Sequence, residues 1–127
     1  MGQGRGNARA SLVGGLAIIC IFLALTQPAI AAIYNVGGSN GWTFNVQNWP
    51  TAKSFRAGDV LAFNYPRSQH NVVAVSRRGY NSCSAPRGSK AYQTGKDRIR
   101  LRRGQNYFIC SLPGHCKSGM KIAINAA

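Results

Sequence analysis

Acidic side chains are nearly missing from this sequence. Asp59 and Asp97 stand alone against 16 lysines and arginines, a formal charge of +14 over 127 residues. Histidine is as scarce, with only His70 and His115, and neither aspartate lies near either of them in sequence. A cysteine–histidine hydrolase therefore lacks the third group that would orient its base. Long apolar runs are missing too. The longest, Leu12 to Leu25, has 14 residues, short of the roughly 20 that span a bilayer as a helix. No hydrophobic tail of the kind that directs lipid anchoring follows the last strand-like run, which ends at Ala126-Ala127. The expectation is neither a membrane span nor a lipid anchor. Gly37, Gly38 and Gly41 lie too close together, with no helix after them, to be a dinucleotide fingerprint. There are no internal repeats.

What is present begins with a leader. Arg5 and Arg9 precede the apolar run, and Ala29-Ile30-Ala31 has the small-x-small form read by signal peptidase. Residues 1–31 are expected to be a signal peptide and residues 32–127 one exported domain. Without Arg5 and Arg9 the formal charge becomes +12. So basic a surface favours polyanionic neighbours. Outside the cell these are acidic cell-wall polysaccharide, an anionic membrane surface or an acidic protein rather than nucleic acid. The domain is expected to be a monomer.

Short alternating runs separated by turn residues predict an all-β fold of about seven strands. Ala32–Val36 opens it, and Trp42, Phe44 and Val46 alternate with polar residues as a half-buried strand. Val60–Tyr65 follows, ended by Pro66, which offers no N–H to a ladder. Asn71–Val75 reads as a strand buried on both faces or nearly so, with His70 at its entrance. Residues 76–95, rich in Gly, Ser, Asn, Pro and Arg, are expected to be irregular. Ile99 and Leu101 alternate with Arg98, Arg100 and Arg102, giving one dry and one basic face. Asn106–Ile109 and Lys121–Asn125 complete the set.

Cys110, His115 and Met120 recur at five-residue steps around a Pro113-Gly114 turn. One thiolate, one imidazole and one thioether can thus converge from a single loop, and His70 supplies the further imidazole. That donor set suits copper, which must accept both a harder and a softer oxidation state. Zinc is poorly served, because a thioether is a weak ligand for it. Cys20 leaves with the leader, so Cys83, Cys110 and Cys116 remain. In an oxidising compartment two should pair and one stay free. Keeping Cys110 for metal makes Cys83–Cys116 the expected disulfide, with Cys110–Cys116 and a free Cys83 as the alternative.

Several stretches together resemble the plantacyanin branch of the plant phytocyanin family of blue copper proteins. They are Val36-Gly37-Gly38 with Gly41-Trp42, Phe55-Arg56-Ala57-Gly58-Asp59, His70-Asn71-Val72-Val73, and Tyr107-Phe108-Ile109-Cys110 through Gly114-His115-Cys116 to Gly119-Met120. The resemblance covers essentially all of residues 33–125. It implies a cupredoxin-like Greek-key β-sandwich or barrel, one type 1 copper held by His70, Cys110, His115 and Met120, and a Cys83–Cys116 disulfide. Asn71 and Ser111 resemble the pair that ties the two ligand segments together by hydrogen bonds in cupredoxins. The implied role is secreted, non-enzymatic one-electron transfer with an unidentified redox partner. The alternative is an extracellular matrix or cell-wall binding or signalling protein, as in plant reproduction, in which copper is mainly structural. One departure from the family pattern is Arg67, close before His70.

Overall fold

Apolar runs of three to six residues, each cut by Gly, Pro or a polar turn, give seven strands in residues 30–127, which the computed structural model describes. Apart from its last two residues, the expected leader lies outside the described residues. The strands are β1 (Ile33–Asn35), β2 (Val60–Asn64), β3 (Val72–Val75), β4 (Ala91–Tyr92), β5 (Lys96–Arg100), β6 (Gly104–Ile109) and β7 (Lys121–Ala126). They form two sheets, ordered β1-β2-β5 and β4-β3-β6-β7. Only β1 and β2 run parallel; the other neighbours are antiparallel. The two sheets are not joined by a strand ladder, so they do not close into a barrel; the outer edge of β7 carries only an isolated parallel bridge from Phe55 to Ala126.

The core is the alternate faces of both sheets. Leu61 and Phe63 of β2 meet Val72, Phe108, Ile122 and Ile124 of the other sheet, with Trp42 and Val36 added from loops. Phe63 is the hinge of this packing, with ring centroids 5.0 Å from Trp42 and 5.4 Å from Phe108. Burying such rings contributes about 1.5–3 kcal/mol each, which matters in so small a domain. A second, smaller cluster of Val73, Ile109 and Cys116 lies on the opposite face of the four-stranded sheet, packed against Tyr80 and Cys83.

Two expectations need correction. Trp42–Val46 is not a strand. Asn45 takes a left-handed φ of 58°, and the backbone bonds are dealt to different partners: Trp42 N–H to Asn64 O, but Asn45 and Val46 N–H to Ser118 and Gly119 O. A ladder needs one partner strand, and this segment has two. β3 is buried on both faces at its start, Val72 in the core and Val73 in the smaller cluster, while Ala74 toward its end is exposed. Within the expected irregular region, Arg77–Ser82 forms a short helix, α1. Ser76 caps it, its side chain accepting from Gly79 N–H, a role that serine fills well.

Both aspartates are only 4% exposed. Asp59 accepts from the N–H groups of Ala32 and Arg56, and Asp97 from Thr94 and the Tyr65 hydroxyl. Burial and that bond push the Tyr65 phenol well above its ordinary range. With both aspartates spent on internal turns, the surface carries no acidic side chain at all.

Candidate metal centre

Strands β3 and β6 are neighbours, so the residues just before β3 and just after β6 come to the same end of the sheet. Those residues are His70 and Cys110. After Cys110 the chain turns back, His115 N–H bonding Leu112 O at 3.1 Å and Met120 N–H bonding His115 O at 3.1 Å. Cys110 N–H then bonds Met120 O at 3.0 Å, so the loop's two ends are clamped together at the start of β7. Gly119 enables the closure. Its φ is +86°, and a Cβ there would meet Asn45 Cα at 2.9 Å, so only glycine fits without displacement.

Three donor atoms converge inside this frame. The ligand atoms of His70, Cys110 and His115 all lie within 4.8 Å of one another. His70 Nδ1 is 3.1 Å from His115 Nδ1, and Cys110 Sγ is 3.5 Å from that same nitrogen. One ion about 2.0–2.3 Å from each atom can span such separations. Cys110 and Met120 are fully buried, while His115 is partly exposed. The Met120 backbone is bonded to both Cys110 and His115, and Met120 and Cys110 belong to the same buried core cluster. Burial and the neighbouring His115 hold His70 below the ordinary imidazole range, so its ring stays neutral and its lone pair available at neutral pH.

The cysteines divide as the register with His115 and Met120 suggests. Cys83 and Cys116 are joined, Cα to Cα 5.6 Å, and Cys110 is the free thiol among the described residues. The bond connects the end of α1 to the residue after His115. Asn71 and Ser111 also meet: Asn71 Nδ2 donates to Ser111 Oγ at 2.8 Å, and Ser111 N–H donates to Asn71 Oδ1 at 2.9 Å. This reciprocal pair locks the residue beside His70 to the residue beside Cys110. Trp42 Nε1 adds a bond to Asn71 O at 2.8 Å.

Phe44 was the residue least visible as part of the site. Assigned to a strand by alternation, it instead sits at the surface, 41% exposed. Its ring stands edge-on to both His70, at 5.5 Å, and His115, at 4.9 Å. The lone signal in sequence was a large aromatic between polar neighbours, which a half-buried strand explains equally well. A fully buried thiol is ill placed to attack a substrate, so the Cys110–His115 pair is not a hydrolytic one.

Comparison with known proteins agrees with this geometry. Residues 42–120 match the plastocyanin-like domain family of copper-binding proteins. Chemocyanin of Lilium longiflorum is 51% identical over 128 residues, covering 100% of both chains. Among solved structures, cucumber basic protein, a blue copper protein, is 59% identical, covering 76% of this chain and 100% of its own, with a TM-score of 0.75. Spinach plantacyanin is 66% identical with the same coverage and a TM-score of 0.68.

Proposed function

The chain belongs to the plantacyanin/phytocyanin family of blue copper proteins, and from that premise we propose that it holds one copper through His70, Cys110, His115 and Met120 and carries single electrons outside the cell. The observation that carries this is the convergence of two imidazole nitrogens and a free, buried thiol while the other two described cysteines are paired. Bound there, copper supplies a one-electron couple in a ligand set that suits both of its oxidation states tolerably and neither fully. The protein's part is to prevent the ligands from moving. Cys110 and Met120 are sealed in the core, His70 is fixed by the Asn71–Ser111 pair, and His115 is fixed by its loop and the adjacent disulfide. His115, Phe44 and the small residues Pro113 and Gly114 form the partly exposed edge through which an electron enters or leaves. The family is non-catalytic, and so is this chain.

The test is optical. Copper-loaded protein should show an intense thiolate-to-copper band toward the red end of the spectrum; a colourless copper complex would overturn the assignment. Replacing Asn71 by alanine removes both bonds to Ser111. Copper affinity should fall by about 10–100-fold, as is usual when a group behind a ligand is lost, with a shifted band and potential. Competition titration and spectroelectrochemistry read both, and an unchanged spectrum with unchanged affinity would deny Asn71 that role.

Residues 1–31 are read as a cleaved leader, and the two sheets as the halves of a Greek-key sandwich. In support, the compact unit begins at Ala31, and the two solved relatives align with 76% of the chain. Among the described residues no helix is long and apolar enough to cross a membrane. A second reading, in which the protein binds cell-wall or matrix material and copper is chiefly structural, draws on a different observation. With Asp59 and Asp97 buried, every charged side chain at the surface is cationic.

A further inference from the structure

A cavity of about 460 Å³ opens between β5, at the edge of the three-stranded sheet, and strands β3, β4 and β6 of the other. Ala74, Ile99 and Phe108 give it an apolar lining, and Arg98, Arg100 and Arg102 reach it from β5 and the turn beyond. A second cavity, about 340 Å³, shares Gln105 and Tyr107 with the first and adds Arg77, Tyr80 and Asn81. The two meet at Gln105 and Tyr107 of β6 and together make up one strip. The wall shared by the two cavities at Gln105 lies five residues of strand from Cys110, about 17 Å at 3.4 Å per residue, and none of the lining residues is a proposed copper ligand.

We propose that this strip binds a linear acidic polysaccharide, a polyuronate, with carboxylates on the arginines and sugar faces on the tyrosines. This rests on the extracellular placement argued above and not on copper. The cations that line the strip are Arg77, Arg98, Arg100 and Arg102, with Lys121 and Lys90 at its margins over Tyr80 and Tyr92. The planar guanidinium matches a carboxylate through two parallel hydrogen bonds, which an ammonium cannot do. Arg98 and Arg100 pair with Ala62 and Val60 along one ladder. They therefore project from the same face about 6.8 Å apart, a spacing that a chain bearing one carboxylate per sugar can follow. Arg102 is held in place: Asn106 Oδ1 accepts from its N–H at 3.0 Å, and Asn106 Nδ2 donates to its carbonyl at 2.8 Å. Tyr80 and Tyr107 pack with centroids 5.4 Å apart, and Lys121 Nζ sits 4.3 Å over the Tyr80 ring. These rings are fixed platforms rather than mobile surface groups. Asn81 and Gln105 add amides for hydroxyl groups. Because both aspartates are buried, no acidic side chain on the surface competes for the guanidiniums.

Polygalacturonate, its methyl-esterified form and poly-glutamate are titrated into copper-loaded full-length protein at physiological salt by calorimetry. Two triple variants with equal charge removed are compared. One is R98Q/R100Q/R102Q; the other, K53Q/R87Q/K117Q, changes exposed residues outside the strip. We expect polygalacturonate to bind and its ester to bind far more weakly. The strip variant should lose at least about tenfold, the worth of one charge-assisted contact, and the control under about threefold, as screened surface charge allows. Should the strip triple variant fail to fold, Gln105→Glu, a single exposed change in the shared wall, should give the same direction of loss. Equal losses in both triple variants would overturn the site in favour of diffuse charge. Poly-glutamate binding as tightly as polygalacturonate would overturn the sugar, pointing to an acidic protein. The visible band, recorded on each sample, reports the copper reading separately.

Discussion

Replacing Cys110 by serine should abolish the intense visible absorption of the copper-loaded protein and weaken copper binding by more than the roughly 10–100-fold typical of a group one step behind the ligands. Cys110 is the one described thiol not tied up in a disulfide, and its sulfur lies 3.5 Å from His115 Nδ1. Among the described residues no other free thiol exists. Serine keeps the volume but offers an oxygen that stays protonated at neutral pH and has no charge-transfer transition in the visible. The fold should survive, because Cys110 is linked to its surroundings through the backbone bond to Met120 O, which serine retains. Absorption and a competitive copper titration check the first part, and circular dichroism the second. A variant that keeps the band would mean that another sulfur binds the metal. The same variant separates the two biological readings. If it still performs normally in a matrix-binding or cell assay, electron transfer is not what the organism requires of the protein.

The second large effect concerns the disulfide. Converting both Cys83 and Cys116 to serine opens a loop spanning 33 residues. In the loop-entropy account this should cost about 3–4 kcal/mol of folding stability. For a domain of this size, at about 4–8 °C per kcal/mol, the melting temperature should fall by on the order of 15–25 °C. The change should be larger than loop entropy alone gives, since Cys116 is buried with Val73 and Ile109, where a serine hydroxyl is poorly accommodated. His115 precedes Cys116 directly, so copper affinity should fall as well. Urea unfolding of the metal-free proteins, followed by tryptophan fluorescence, measures the stability term. A loss below about 1 kcal/mol would show that the native chain already restrains this loop without the bond.

The metal centre was unusually legible because its donors are rare residue types used sparingly. With two histidines in the whole chain and a single methionine beyond Met1, the choice of candidates had no rivals, and the structure brings His70 and His115 to Cys110. The spacing of Cys110, His115 and Met120 reflects a loop closed by its own backbone bonds, and local geometry of that kind is written in local sequence. Phe44 and the Trp42–Val46 segment were misread for the opposite reason. Their alternation is that of a strand, yet their backbone partners lie at residues 64, 118 and 119, far along the chain. The helix Arg77–Ser82 was passed over because one Gly and several polar residues mask it, although Ser76 is a good capping residue.

By composition and order alone, the sequence determined that this is a short-stranded β domain with one soft-metal loop, a strongly cationic surface and an odd cysteine kept for chemistry. Those properties depend on which residues exist and on spacings of a few positions. Only the tertiary structure decided that β3 lies beside β6, bringing His70 to Cys110 across 40 residues, and that Asn71 and Ser111 close the seam between them. It also decided that Phe44 covers the histidines and that both aspartates face inward, leaving the arginines of β5 unopposed beside two tyrosines. The physical reason is that strand pairing and burial are long-range: any alternating run can join either sheet, and what selects the partner is the packing of Trp42, Phe63 and Phe108 in the shared core.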